Sequence, residues 1–136
     1  THQPSRTVTE TDNLLFSTLT HNVQPLHIDA EFAAQSEFGR ILVNSTFTFS
    51  LAVGLSVGDT TGGTLVANLW FDRIVTPRPT FIGDTLTCHT EVLETRQSRS
   101  RPGQGIVVFA HDLTNQRGET VLTMTRTALL NSTPRG

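Results

Sequence analysis

One cysteine, Cys88, leaves no way to close a disulfide within the chain and fits a reducing, cytoplasmic setting. It sits in a strand pattern between Leu86 and Thr90, where a small core residue is the simpler role than a nucleophile. No apolar run approaches the roughly 18 residues of a bilayer-spanning helix, and Thr1 to Glu10 is polar, without the apolar core of a signal peptide. There is no basic excess: the net charge of −2 argues against a nucleic-acid partner. Metal-ligand spacing is missing too, because His21 and His27 have no Cys or His cluster near them. Gly62-Gly63 and Gly103-Gln104-Gly105 read as turns, not as a phosphate-cradling loop. Hydrophobic content is low, at 36% of 136 residues. That length is one domain's worth with a real core, and the composition leaves room for a partner surface to complete it.

What is present begins with helical signals. Thr1 to Ser5 reads as a lead-in, and Arg6 to Thr9 as a short strand. Thr9-Glu10-Thr11-Asp12 supplies a cap and an acidic first turn for a helix that places Leu14, Leu15, Phe16 and Leu19 on one face. Pro25 fixes its own φ and pushes Gln24 out of the helical region, so that helix should stop near Asn22. Leu26-His27-Ile28 is then expected to run extended. Asp29 is placed to cap a second helix, Ala30 to Phe38, which Gly39 can close and which Phe32 and Phe38 can anchor to the body.

Arg40 to Gly58 is ambiguous. Phe47, Phe49, Leu51 and Val53 alternate with Thr46, Thr48, Ser50 and Ala52, which is a strand period; Phe47, Leu51, Gly54 and Leu55 equally fit one face of a helix, and pattern alone leans toward the strand. After a turn at Gly58 to Gly63 the chain is rich in strand formers. Thr64 to Val75, Asp84 to Arg96, Ile106 to Leu113 and Glu119 to Leu130 are the expected strands, divided by Pro77 and Pro79, Gly83-Asp84, Arg101 to Gly105 and Asn115 to Gly118. In the last strand Val121, Thr123, Thr125, Thr127 and Leu129 share one face. Helices first and then long strands joined by turns make an α+β layout with a mostly antiparallel sheet.

Thr20-His21-Asn22-Val23-Gln24-Pro25-Leu26-His27-Ile28-Asp29, with Glu31-Phe32-Ala33 and Phe38-Gly39, resembles the signature segment of the MaoC-like dehydratases, which include the (R)-specific enoyl-CoA hydratases. Phe81 to Leu86 resembles that family's turn into a long strand, and the likeness runs from about Thr7 to Leu130. It implies a single hot dog domain over residues 1–136, in which Arg40 to Gly58 is the central helix wrapped by the sheet. It also implies a dimer and a hydratase or dehydratase of an acyl-CoA thioester. Such an enzyme needs no metal or redox cofactor, because CoA is part of the substrate.

By the same resemblance His27 is the catalytic histidine, while the family's aspartate is here Asn22 and its asparagine before proline is Gln24. The glycine at the oxyanion site aligns with Ser45, and a residue that is often histidine aligns with Asn44. Ser50 aligns with a polar residue that supports the catalytic pair, or else bonds its own helix backbone. Asn22 departs from the pattern. A carboxamide orients water but cannot take a proton. Relatives with asparagine here resemble hydratases of branched or dicarboxylic acyl-CoA such as mesaconyl-CoA. Three readings follow: His27 carries both proton steps, another carboxylate such as Asp29 stands in, or the domain binds a thioester without turning it over. A hot dog thioesterase is a further alternative. Arg96, Arg99 and Arg101 form the one basic cluster, either a solvated turn or a contact for CoA phosphates or an acidic acyl group. His89 and His111 fall in strand patterns and belong to no motif.

Overall fold

The computed structural model describes residues 4–132, apart from the side chain of Asp59. The lead-in expected at Thr1 to Ser5 lies partly outside the described residues, and Ser5 already begins the first strand. The elements run β1 (Ser5–Thr7), α1 (Glu10–Leu19), α2 (Pro25–Ile28), α3 (Ala30–Ala34), α4 (Ser45–Thr60), β2 (Leu65–Val75), β3 (Thr85–Gln97), β4 (Gln104–Thr114) and β5 (Thr120–Asn131). The strands form one antiparallel sheet in the order β1-β3-β4-β5-β2. That sheet wraps the 16-residue α4 in the hot dog arrangement.

Resolution of the ambiguous segment as a helix follows from what it buries. Phe47, Thr48, Leu51 and Ala52 are buried while Thr46, Ser50 and Gly54 are exposed, a spacing of three and four and not of two. The two-residue alternation of the phenylalanines is a coincidence of composition. Phe47 meets Phe16 of α1 edge-on at 5.5 Å, and Phe49 meets Phe71 of β2 at 5.0 Å, so the rings serve different neighbours. Around them Val8, Val43, Leu86, Leu113, Leu122 and Met124 close the core. Cys88 is part of that core, its Sγ against the carbonyl of Ala52.

Several local expectations need correction. Leu26-His27-Ile28 is not extended. Pro25 stands at the first helical position, where its fixed φ favours a turn and its missing N–H costs nothing, and Pro25–Ile28 forms α2. Asp29 does cap the next helix, accepting from the Phe32 N–H at 3.1 Å. That helix stops at Ala34, because Ser36 turns back onto the Ala33 carbonyl through both N–H and hydroxyl. Gly39 has a left-handed φ of 72° but lies beyond that end. Phe38 packs on Phe81, whereas Phe32 is exposed and anchors nothing. The turn expected from Gly58 starts later, since α4 runs on to Thr60. On β5 the residues facing α4 are Leu122, Met124, Arg126 and Ala128, alternate to the Val121–Leu129 set.

β2 forms one edge of the sheet and exposes Leu65, Trp70, Phe71, Ile74 and Val75. No helix among the described residues is long and apolar enough to cross a membrane.

Candidate active site

Three of the sequence-predicted residues, His27, Asn44 and Ser45, come together around the start of α4. Asn44 is the N-cap: its Oδ1 accepts from the N–H of Thr46 at 3.0 Å and from that residue's hydroxyl, and its carbonyl accepts from Phe47 and Thr48. Ser45, the first helical residue, has an N–H with no acceptor among the described residues. A free N–H at the positive end of a four-turn helix is a natural place for developing negative charge. Ser45 and Thr48 line a cavity of about 360 Å³ with Phe38, Leu42, Arg78 and Val121. The Pro77-Arg78-Pro79 segment, which the sequence showed only as a strand breaker, thus brings a cation to its wall.

His27 does not line this cavity itself but is tied to its wall by one hydrogen bond. Its Nδ1 lies 2.7 Å from the carbonyl of Leu42, a wall residue of the cavity. A carbonyl only accepts, so Nδ1 carries a proton, and in the neutral ring Nε2 is the nitrogen with the lone pair. His27 is half-buried on α2, itself tied to the chain before α4 by Leu42 N–H to Leu26 C=O. The histidine is therefore fixed by a helical turn, not by an extended link.

Asn22 follows α1 at the end of a Schellman turn. Its N–H donates to Ser17 C=O at 2.9 Å and that of His21 to Thr18 C=O at 3.2 Å, with His21 in the left-handed region at φ 61°. The backbone of Asn22 is thus fixed while its half-buried carboxamide has no partner among the described residues. Gln24 caps α2 by backbone alone and its side chain is exposed and unbonded.

Other expected site residues fall elsewhere. Asn44 cannot offer its side chain to a substrate: it is 1% exposed, and its Nδ2 also donates to Ser17 Oγ at 3.4 Å. Burial under α1 converts it from a binding residue to a cap. Ser50 is exposed on α4, about 140° around the helix from Ser45; it neither bonds its own backbone nor lines the cavity. Asp29 is engaged as a cap. Arg99 and Arg101 lie in the turn between β3 and β4, beside Asn131, whereas Ser45 lies at the Val121 end of the sheet. Within one chain they do not meet His27. Among the described residues no three His, Cys, Asp or Glu side chains converge to hold a metal ion.

Sequence reasoning missed Asn13 and Ser17. Both lie on the buried side of α1 and both touch Asn44, 31 and 27 residues away. They lie on the helix face opposite the expected stripe, whose Leu14, Leu15 and Leu19 are exposed, and their four-residue spacing was the only signal.

A second polar cluster sits under the far half of α4. Arg126 is 1% exposed; its Nε donates to His111 Nε2 at 3.2 Å, Nη1 to Asn68 Oδ1 at 3.0 Å and Nη2 to Ser56 Oγ at 3.2 Å. The Phe109 ring lies 5.0 Å from the guanidinium. His111, with Nε2 accepting, donates from Nδ1 to Thr90 Oγ1 at 2.9 Å. Burial, and then the charge of Arg126, lowers the His111 pKa from 6.5 to about 4. Burial likewise lowers that of Arg126.

Comparison with known proteins agrees with this architecture. The family model described as "MaoC like domain" matches residues 1–113. A monoamine oxidase regulatory protein from Archaeoglobus fulgidus superposes with a TM-score of 0.83 at 33% identity, covering 98% of this chain and 90% of its own. A MaoC-like dehydratase from Rhodospirillum rubrum gives 0.80 at 30% identity with the same coverage. A mitochondrial 3-hydroxyacyl-[acyl-carrier-protein] dehydratase of Solanum lycopersicum is 29% identical over 97 residues, 71% of this chain; the match spans 56% of that protein's length. With its fold, its His27 turn and a family match over most of its length, the chain belongs to the MaoC-like domain family.

Proposed function

We propose that the chain is a hydratase/dehydratase of an enoyl or 3-hydroxyacyl thioester, with CoA as the carrier. The observation that carries this reading is the pairing of an unengaged imidazole Nε2 with an unengaged helix-terminal N–H. Leu42 holds the first and lines the cavity that Ser45 lines. In hydration, Nε2 of His27 takes a proton from water as its oxygen bonds to the β carbon. The electron pair of the double bond moves onto the thioester oxygen, where the Ser45 N–H and the α4 dipole stabilise the enolate. The imidazolium then returns its proton to the α carbon, so one water is added and the base is regenerated. Asn22 holds the water. Its carboxamide donates and accepts but takes no part in proton transfer.

The exposed apolar edge of β2 suits a second copy paired antiparallel, giving a homodimer. Such a pair would set the Leu65 end of one copy, with its 98–103 turn, beside the Val75 end of the other. Arg99 and Arg101 of the second copy would then face the approach to the cavity and the carrier's phosphates.

Hydration of crotonyl-CoA and mesaconyl-CoA, followed by loss of the enoyl absorbance, tests the reading, with His27→Ala as control. Turnover that falls by at least about 100-fold in the control supports it. Release of free CoA would point to a thioesterase, and thioester binding without either product to a binding module. Asn22→Asp is expected to keep or raise the rate. Complete loss in a folded variant would mean that the carboxamide N–H is required.

A further inference from the structure

Between the two halves of the site stands one buried side chain that the proposed chemistry does not use. Asn13 of α1 is 2% exposed. Its Nδ2 donates to the carbonyl of His27 at 2.9 Å, and its Oδ1 accepts from the N–H of Asn44 at 3.0 Å. One carboxamide thus joins the backbone of the base-bearing turn to the backbone one residue before Ser45. Resting on the hydratase reading, we propose that Asn13 is a positioning residue that sets His27 against the oxyanion end of α4.

The geometry favours this role in three ways. First, the bonds are to backbone groups, so they fix where the two segments lie and not merely how side chains point. Second, the direction is set chemically: a carboxamide donates from Nδ2 to a carbonyl and accepts at Oδ1 from an N–H, which neither an ionised carboxylate nor an apolar side chain can do. A leucine of similar size could fill the space but would leave both groups buried and unpaired. Third, by taking the Asn44 N–H, Asn13 fixes the peptide that precedes the Ser45 N–H, while Leu42 holds the ring of His27. Ser17, one turn along α1, accepts from Asn44 Nδ2 and fixes the roll of the cap. A shift near 1 Å between a base and an oxyanion donor can cost about 100-fold in rate.

The test is a double-mutant cycle on crotonyl-CoA hydration, using Asn13→Asp and Asn13→Leu alone and with His27→Ala. Asn13→Asp keeps the acceptor toward Asn44 and loses the donor toward His27, so it carries the test should the leucine variant fold poorly. Expected are a kcat lower by about 10- to 100-fold with KM within about twofold, and no further loss when His27 is already alanine. Equal factors in both backgrounds, or a raised KM at unchanged kcat, would overturn the proposal. A second readout needs no turnover. The Nδ1–H proton of His27, held by Leu42, should exchange slowly in the unmodified protein and quickly in either variant, by NMR. Unchanged exchange overturns the positioning role even if the protein proves not to be a hydratase; absent turnover with altered exchange overturns only the hydratase reading.

Discussion

Two polar networks grip the same helix, and they differ in what they leave over. Under the C-terminal half of α4, each guanidinium nitrogen of Arg126 has a partner, and so do both ring nitrogens of His111. At the N-terminus, Asn44 is bonded by both Asn13 and Ser17, yet His27 Nε2 and the Ser45 N–H remain unengaged, and Ser45 lines a cavity. A closed network specifies packing; an open one can act on something else. Buried charge alone does not mark a site. His111, whose pKa is lowered to about 4, and Arg126, lowered by burial, both belong to the closed cluster.

Breaking the closed network should therefore cost stability and spare chemistry. Arg126→Ala leaves His111, Asn68 and Ser56 without their donor and opens a void, for an expected loss of about 3–5 kcal/mol in urea unfolding. Turnover per folded molecule should stay within about twofold. A rate loss without destabilisation would erase the distinction between the two clusters.

Acid probes the same cluster more gently. His111 stays neutral in the folded protein down to about pH 4, whereas in the unfolded chain it takes up a proton near 6.5. Between those values the unfolded state binds more protons, so stability is full above pH 6.5 and falls as pH drops toward 4, by about 3 kcal/mol in all. His111→Gln should flatten this slope in denaturation midpoints measured across that window. An unchanged slope would mean that His111 is not the group responsible.

The smallest effect lies beside the open network. His21 holds a left-handed φ that glycine adopts without strain, so His21→Gly is expected to gain about 0.5–1 kcal/mol in thermal unfolding. A destabilised variant would show that the imidazole contributes a contact beyond its backbone.

The sequence was most legible where local chemistry decides. Capping of α1 by Thr9 and of α3 by Asp29, the four long strands and the hairpin at Asn115 to Gly118 all follow from short-range patterns. His27 stood out by its match to the family's histidine after Pro25, although the sequence placed it on an extended link and not on the helical turn that carries it. α4 was not legible from period alone, since its phenylalanines alternate while serving different neighbours; only the family resemblance favoured a helix. Asn44 was misjudged because its burial depends on α1, which no local pattern brings near it. Arg126 was invisible for a similar reason: in a strand of alternating threonines, nothing tells which face meets the helix. Asn13 lies on the face of α1 away from Leu14, Leu15 and Leu19, the residues that the sequence set out as its apolar stripe. Its partners lie 14 and 31 residues away, so only the fold shows that it is a tie.

The most direct test of the account is the initial rate of crotonyl-CoA hydration by His27→Ala, compared with the unmodified protein at equal folded fraction. The account predicts a fall of at least about 100-fold with an unchanged denaturation midpoint, because the base is lost from a half-buried ring that packs little. Turnover equal to that of the unmodified protein would contradict it, and the open network at the start of α4 would then have to be read as structure alone.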